Sequence, residues 1–273
     1  MNEISTNWAA CIVYYQDQES LLNLLESLEQ QSLKPGGVFI TDNNSIQSID
    51  LKKYSFPVQV TKLDKNKGFA AGANVALKNA ISNNFSNLML LSQDVILDNS
   101  SVEQMIAELV RSKGIVFPTM YNRNTNQIFS KGGSVNKFLG SIKLSTSSST
   151  KNPEWADGSC LVFTKDVFNS IDGFYEKLFM YFEDVDFCYR AKSKGFTLKH
   201  VDTKVSQTPK GPNPLLRSRN SVIFARRTNS VLLKSSVTKR NILGAILLFA
   251  RLRPTDSTNR FKGVIQGWKA EID

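Results

Sequence analysis

Histidine and cysteine are scarce in this chain of 273 residues, which contains one histidine, His200, and three cysteines. A Ser-His-Asp hydrolase needs a histidine beside its nucleophile, and a zinc site needs several ligands that converge on one point. Cys11, Cys160 and Cys188 lie in apolar segments without metal-ligand spacing, so we expect reduced core residues of a cytosolic protein. Triad hydrolysis and zinc chemistry are therefore disfavoured.

Long apolar segments are also missing from the sequence. No stretch approaches the roughly 20 apolar residues that a membrane-spanning helix requires. Residues 1–5 lack the basic and then apolar segments of a signal peptide, so we expect a cytoplasmic protein. A hydrophobic content of 41% suits an ordinary globular core, and the length allows one large α/β domain or two small ones.

Acidic side chains are rare in the C-terminal part. Residues 1–209 contain 21 basic and 21 acidic side chains, whereas residues 210–273 contain 13 basic and three acidic ones. The net charge of +10 therefore belongs to this tail, which also carries an apolar segment at 242–250. Basic residues flank that segment on both sides: Lys239, Arg240, Arg251 and Arg253.

A basic, amphipathic helical tail is typical of peripheral attachment to an anionic membrane surface. The alternative is a helix that packs on the domain while its basic residues stay solvated. Nucleic-acid binding is a weaker third interpretation, because no platform of stacking aromatics accompanies the charge, and we expect no nucleic-acid partner.

The first 118 residues alternate between short apolar strands and amphipathic helices. The pattern predicts strands over residues 9–15, 37–41, 58–62, 88–92 and 114–117. It predicts helices over residues 19–30 and 70–81 and a third that begins near Ser101. This alternation is typical of a mostly parallel sheet with helices on both faces, whose ligands bind beyond the carboxyl ends of the strands. Tyr14, Asp42 and Asp94 lie at such ends.

From about residue 120 the composition changes. Asn, Thr, Ser and Gly dominate up to Asn152, which predicts a hairpin or a mobile loop. A loop from Trp155 then leads into a buried strand, and a short helix is predicted over residues 165–170. We divide the chain into one domain, 1–209, with halves 1–118 and 119–209, and a helical tail, 210–273.

Three carboxylates lie within the aromatic segment 174–190: Glu183, Asp184 and Asp186. Acidic residues are rarely buried unless they are paired or have a function. The cluster also predicts the start of a helix here, because carboxylates favour the positive end of the helix dipole. Asp186 and Arg190 stand four residues apart, in the order that favours a helix ion pair. Asp184 has Cys188 at that spacing, so it is the carboxylate that most requires a functional role.

Other candidate residues have structural alternatives. Asp42 can accept hydrogen bonds from a nucleobase or ribose, or it can form an Asx-turn with the polar residues after it. The glycine-rich segment 66–72 opens a helix whose backbone amides suit a diphosphate, although it lacks Walker and dinucleotide spacing. Asp94 can hold a divalent ion that bridges phosphate oxygens, or it can close a turn together with Asp98.

Taken in order, these motifs resemble family 2 glycosyltransferases, and the most similar members are bacterial rhamnosyltransferase-like enzymes that build surface polysaccharides. The resemblance covers nearly the whole chain, and its most specific part is the segment from Gly173 to Asp186. Its other parts are Ile12-Val-Tyr-Tyr, Asp42-Asn-Asn-Ser45, Asn66-Lys-Gly-Phe-Ala-Ala-Gly-Ala-Asn74, Leu90-Leu-Ser-Gln-Asp94, Trp155-Ala-Asp-Gly158 and Arg219-Asn220.

The resemblance implies a GT-A fold and inverting transfer of a sugar from a dTDP- or UDP-linked donor, with dTDP-rhamnose as the first choice. The acceptor would be a saccharide or a lipid-linked saccharide. Asp184 would be the general base with Glu183 beside it. The donor would contact Tyr14, Asp42, Asn66, Gly68, Asn74, Gln93 and Asp94. The acceptor would contact Trp155, Asp157 and Gly158, with a core position as the alternative for Trp155.

Two departures from the family pattern concern the metal and the mode of addition. Ser92 replaces the first aspartate of the DxD motif, and Gln207 aligns with a histidine that binds metal in many relatives. Binding of a divalent cation, Mg²⁺ or Mn²⁺, would therefore depend on Asp94 and the donor phosphates. The QxxRW motif of processive synthases is missing around residues 215–220, which favours single additions. A non-catalytic sugar-nucleotide binder or scaffold subunit is the alternative, and the sequence leaves a homodimer open.

Overall fold

A computed structural model describes residues 7–146, 152–209 and 211–273 of the chain. The prediction that no signal peptide is present concerns residues outside this described part. Residues 147–151, which belong to the segment predicted to be a hairpin or a mobile loop, also lie outside the described part.

The first half of the chain builds four parallel strands in the spatial order β3-β2-β1-β4. These strands are β1 (Trp8–Tyr14), β2 (Gly37–Asp42), β3 (Val58–Lys62) and β4 (Asn87–Ser92). Helices α1 (Gln18–Glu29), α2 (Gly68–Ser82) and α3 (Ser101–Ser112) connect or follow them. The predicted starts and ends of these elements are confirmed to within two residues.

Alternation along the central strand β1 explains why helices cover both faces of the sheet. Cys11 and Val13 point to the face that α2 covers, whereas Ile12 and Tyr14 point to the face that α1 and α3 cover. A strand buried on both faces reads as a continuous apolar segment, as β1 does. The predicted α/β architecture is confirmed.

The second half adds strands of mixed direction. They are β5 (Ile96–Leu97), β6 (Ile115–Asn122), β7 (Ile128–Ser130), β10 (Cys160–Thr164) and β11 (Leu198–Gln207). Strand β10 runs antiparallel to both β4 and β6, while β11 is parallel to β6. The expected parallel arrangement therefore holds for the first four strands, and the sheet is mixed beyond β4. A separate hairpin of β8 (Gly133–Asn136) and β9 (Ser141–Leu144) lies in the polar segment.

Helices dominate the rest of the chain. After α4 (Lys165–Ser170) and a 3₁₀ turn (Glu176–Leu178) come α5 (Glu183–Ser193), α6 (Pro214–Arg227), α7 (Val231–Ala250) and α8 (Pro254–Lys269). The predicted helical tail is thus three helices. Val222 and Phe224 of α6 join the main core, and Gly267 of α8 lets its backbone approach the Arg219 carbonyl closely. Within the described residues, no helix has both the length and the apolar character needed to cross a membrane.

Candidate active site

A cavity of about 490 Å³ opens beyond the carboxyl end of β4, beside the start of α5. It brings together predicted residues that are distant in the sequence. These are Asp94, Trp155, Asp157, Gly158, Glu183 and Asp184. Because four of its lining residues are carboxylic acids, we call this space the acidic cavity.

Asp184 occupies the first turn of α5, as the sequence predicted. Its carboxylate accepts hydrogen bonds from the backbone N–H of Gly158 at 3.0 Å and of Val185 at 2.8 Å. A side chain at Gly158 would place its Cβ 2.9 Å from the Asp184 Cβ, so only glycine allows this close approach. No cation pairs with Asp184 among the described residues, which leaves the carboxylate free to accept a proton.

The acids of the cavity oppose one another's ionisation. Burial and the nearby Asp157 charge raise the pKa of Asp184 to about 7. Burial, and then the Asp184 charge, raise the pKa of Glu183 well above its usual range. The Oε2 atom of Glu183 is buried and has no hydrogen-bond partner. Two backbone N–H groups stabilise Asp184 as a carboxylate, whereas no donor reaches the Oε2 atom of Glu183, so the negative charge is better accommodated on Asp184.

The orphaned Glu183 carboxyl has a measurable effect on stability. Its pKa is higher in the folded chain than in the unfolded chain, so the folded state binds more protons and loses stability as the pH rises above about 4.3. Glu183→Gln removes this titration. We expect its thermal midpoint to exceed that of the wild type by roughly 2 °C or more at pH 8, with a smaller difference at pH 5.

Differential scanning fluorimetry over this pH range measures the effect. Glu271→Gln is a matched control, because Glu271 is exposed near the C-terminus. If the difference in thermal midpoint between Glu183→Gln and the wild type stays constant with pH, the pKa of Glu183 is not raised by folding.

A strained loop delivers Glu183 and Asp184 to the cavity. Phe179, Tyr181 and Phe182 have φ angles of 64°, 70° and 72°, which non-glycine residues rarely adopt. Each such residue costs roughly 1–3 kcal/mol and persists only where neighbouring contacts enforce it. The strain therefore lies immediately before the start of α5.

Asn220 of α6 supplies the contacts that hold this loop. Its side chain is fully buried, and its amide donates to the carbonyls of Leu178, Met180 and Tyr181 at 2.6, 2.8 and 2.9 Å. Sequence reasoning noted Asn220 within a motif but gave it no role. In the sequence Asn220 stands between Arg219 and Ser221, so no local pattern indicates that its side chain is buried.

Asp186 has a structural role, and its predicted pairing with Arg190 is confirmed at 2.7 Å. The structure adds Arg227 of α6, which the sequence did not indicate, at 3.0 Å from the second carboxylate oxygen. Arg190 also donates to the backbone carbonyls of Ile171 and Gly173. This buried network joins α5 to α6 and to the turn before the 3₁₀ segment.

Asn74 stands apart from the other predicted donor-binding residues. Its amide donates to the Phe174 carbonyl at 2.9 Å and to Glu176 at 2.8 Å, and its carbonyl accepts from the Phe174 N–H at 2.8 Å. The side chain is buried and these bonds use its polar atoms. The predicted donor contact has no support in this geometry, because Asn74 instead anchors the segment that leads to α5.

The remaining donor-side residues line one edge of the sheet. Tyr14 and Asp42 are register partners at the ends of β1 and β2, and both are buried. Asp42 accepts from the Ser45 N–H at 2.7 Å, which is the Asx-turn that the sequence offered as its alternative. Gln93 binds both the N–H and the carbonyl of Tyr15, and so joins the ends of β1 and β4.

The loop before α2 extends this edge toward α5. Asn66 accepts from the Gly68 N–H at 2.9 Å, and Asn43 binds the loop at two points. Gly68 has a φ of 86°, and a side chain there would collide with Phe179. The predicted nucleotide side and the acidic cavity are therefore adjacent, although Tyr14, Asp42, Asn66, Gly68 and Gln93 do not line that cavity.

Asp94 lies where the two sides meet. Its carboxylate accepts from the Gln207 amide at 2.9 Å, so the residue that aligns with the family histidine does contact Asp94. The described residues contain no group of three or more His, Cys, Asp or Glu side chains that could hold a metal ion. Asp94 would therefore be the one carboxylate ligand of a bound Mg²⁺ ion. The other ligands would have to be phosphate oxygens of the substrate and water molecules.

Trp155 and Asp157 also line the acidic cavity. The indole of Trp155 is 7% exposed and packs over Gly133, yet its edge lines the cavity, so the core and binding interpretations both describe its position. Asp157 accepts from the Ser159 N–H at 3.0 Å, and burial followed by the Asp94 charge raises its pKa.

The sheet order, the edge formed by β1, β2 and β4, and the carboxylates at the start of α5 define a fold of the GT-A glycosyltransferase class. The sequence profile of "Glycosyl transferase family 2" matches residues 9–195. The chain belongs to this family.

Similar proteins agree with this assignment. The "Low-salt glycan biosynthesis hexosyltransferase Agl10" of Haloferax volcanii is 22% identical over 196 residues, which cover 68% of this chain and 62% of Agl10. The chain thus spans less than two thirds of that relative. The structure of "GalNAc-T7 with UDP, GalNAc and Mn2+" has a TM-score of 0.67 at 12% identity, over 96% of this chain and 56% of that one. "S. aureus TarS 1-349" has a TM-score of 0.57 at 14% identity, over 97% and 92%.

Proposed function

We propose that this protein is an inverting glycosyltransferase that moves one sugar from a nucleotide-diphosphate donor to an acceptor hydroxyl. The single observation that carries the proposal is Asp184, an unpaired carboxylate with a pKa of about 7 in the wall of a cavity next to the predicted nucleotide edge. A general base works best when its pKa is close to the working pH.

In the proposed reaction, the acceptor oxygen attacks the anomeric carbon on the face opposite the diphosphate. Asp184 accepts the hydroxyl proton, the new C–O bond forms, and the bond from the anomeric carbon to the phosphate oxygen breaks, releasing the nucleoside diphosphate. Two backbone N–H groups orient the Asp184 carboxylate. Burial and the Asp184 charge raise the pKa of Glu183, so an ionised Asp184 disfavours a second negative charge beside it.

On the donor side, Asp42 is proposed to bind the nucleobase, and Asp94 the diphosphate region. When a divalent cation is bound there, it neutralises charge on the diphosphate, and Asp94 is the protein ligand that would hold it. A UDP donor is supported by the ligand of the GalNAc-T7 structure. The dTDP-rhamnose donor is supported only by the resemblance of the motifs to rhamnosyltransferase-like enzymes.

On the acceptor side, we propose a saccharide of a cell-surface polysaccharide, carried on a lipid at the inner face of the membrane. Exposed apolar side chains on α7 support membrane attachment: Leu243, Ile246, Leu247 and Phe249 are 57–68% exposed. Lys239, Arg240, Arg251 and Arg253 border them and complement anionic lipid headgroups.

Hydrolysis of a panel of nucleotide sugars, with and without EDTA, tests the donor assignment. We expect one dTDP- or UDP-sugar to be hydrolysed faster than the others, and EDTA to slow the reaction, because a single carboxylate holds the cation weakly without the donor phosphates. A protein that binds UDP or dTDP but hydrolyses no sugar nucleotide would be the non-catalytic binder instead.

A further inference from the structure

A second cavity, of about 310 Å³, lies between the acidic cavity and the C-terminal helices. Five cationic side chains line it, against one acidic side chain, Asp256. The five cations are Lys143, Arg217, Arg240, Arg253 and Arg260. We call this space the arginine cavity. All four of its arginines lie beyond residue 195, where the match to the family profile ends.

Most of this charge is uncompensated. Arg253 pairs with Asp256 at 2.5 Å, whereas Arg217, Arg240 and Arg260 form no ion pair with any described residue. Burial, and then the charges of Arg217 and Arg240, lower the pKa of Arg260. Like charges placed together without an acidic partner destabilise the free protein, and a bound anion would relieve that repulsion.

Arg260 is held in place by its surroundings. Its Nε donates to the Asn241 side chain at 3.3 Å, and its guanidinium group lies over Gly244, where any Cβ would collide with it. Asn241 is buried and also donates to Ser221 at 3.0 Å. A half-buried guanidinium group in a fixed orientation suits the planar, multidentate recognition of phosphate oxygens.

The arginine cavity shares wall residues with a space on each side. It shares four lining residues with the acidic cavity: Ile142, Phe182, Pro212 and Arg217. It shares Arg240 and Arg260 with an open groove of about 570 Å³ on its other side. Apolar side chains dominate this groove, and they are Phe138, Leu139, Leu232, Leu243 and Leu247.

The walls of this apolar groove are joined to each other. The hairpin tip that carries Phe138 and Leu139 packs on α7, where Ser236 donates to the Lys137 carbonyl at 2.6 Å. Phe138 is 80% exposed and Leu243 60% exposed, so the groove presents apolar surface to its surroundings. Carboxylates, arginines and apolar side chains therefore line three neighbouring spaces in that order.

We infer that the arginine cavity binds the phosphate or diphosphate of a lipid-linked acceptor, whose hydrocarbon chain lies in the apolar groove and whose sugar reaches Asp184. The inference rests on the proposed glycosyltransferase function and specifies its acceptor as an amphiphile with a phosphate link. The order of the three spaces matches the order of the three chemical parts of such a molecule.

Binding of geranyl diphosphate, measured by calorimetry with excess UDP present to fill the donor site, tests the inference without requiring catalysis. We expect Arg240→Gln/Arg260→Gln to weaken binding by about tenfold or more, because two charge-assisted contacts are lost. The control Lys262→Gln/Lys269→Gln removes the same charge from exposed positions outside the cavity and should bind like the wild type.

Two further measurements test whether the hydrocarbon chain lies in the apolar groove. Leu243→Ser/Leu247→Ser should weaken binding of geranyl diphosphate by at least about fivefold and leave binding of inorganic pyrophosphate unchanged, since only the chain contacts these leucines. Thermal midpoints close to that of the wild type verify that the variants are folded. Equal affinity of the wild type for geranyl diphosphate and pyrophosphate would overturn the inference for the groove.

The remaining outcomes separate this inference from the proposed function. If the arginine double variant and its control bind geranyl diphosphate equally, the arginine cavity is not the phosphate site. If the arginine variants lose only binding to anionic phosphatidylglycerol vesicles, the arginines contact the membrane and not the acceptor. Either result leaves donor hydrolysis intact, whereas hydrolysis that is missing in the wild type would contradict the proposed function itself.

Discussion

Replacing Asp184 with Asn is expected to reduce sugar transfer by about 10²–10⁴-fold while binding of the nucleotide diphosphate is retained. The amide keeps the shape of the side chain and can still accept the hydrogen bond from the Gly158 N–H, but it cannot take up the acceptor proton. Transfer is measured in steady state, and nucleotide binding by calorimetry. Full activity of Asp184→Asn would exclude Asp184 as the base.

The pH dependence provides an independent test of the same residue. The base must be ionised, so kcat/KM of the wild type should rise with pH through about 7, the pKa of Asp184. The Asp157 charge contributes to that raised pKa, so Asp157→Asn should move the rise to lower pH. If kcat/KM of Asp157→Asn rises over the same pH range as that of the wild type, a group other than Asp184 controls the rate.

Replacing Asp186 with Ala should destabilise the folded chain by about 3–5 kcal/mol, because it leaves two largely desolvated cations without their shared partner. The Asp186 side chain is 2% exposed, and those of Arg190 and Arg227 are 23% and 16% exposed. The free energy of unfolding from urea denaturation measures the loss. We expect the variant to retain little activity, since this network fixes α5 against α6.

Asp64→Ala is the matched control for this prediction. Asp64 also forms an ion pair, with Lys67 at 2.8 Å, but the two side chains are 70% and 42% exposed. Exposed ion pairs contribute only about 0–1 kcal/mol, so the control should unfold close to the wild type. If Asp186→Ala loses no more than Asp64→Ala, the arginines find other acceptors, such as the carbonyls that Arg190 already contacts.

Local patterns determined the order of elements in the first half of the chain. The apolar segments of β1, β2 and β4 and the leucine-rich α1 have the periods of buried strands and an amphipathic helix, so their bounds could be predicted closely. The mixed direction of the sheet beyond β4 could not, because the orientation of β10 depends on contacts between residues far apart in the sequence.

The contacts of the candidate site also divide into those that local spacing predicts and those that only folding creates. Spacing along one helix distinguished Asp186, which pairs with Arg190, from Asp184, which has no such neighbour. The second partner of Asp186 is Arg227, 41 residues away, and no periodicity relates the two. The contacts of Asn74 were likewise hidden from the sequence, since its partners at residues 174 and 176 become neighbours only after folding.

The sequence by itself determined the α/β class, the family resemblance and the carboxylate at the start of α5, because these depend on residue type and short-range spacing. Only the tertiary structure decided that Asn220 holds the strained loop and that the acids raise one another's pKa. Only the tertiary structure brought four arginines of the tail together around one cavity, which shares wall residues with the cavity that Asp184 lines. Electrostatic coupling and burial depend on distance in space, which the order of residues along a chain does not contain.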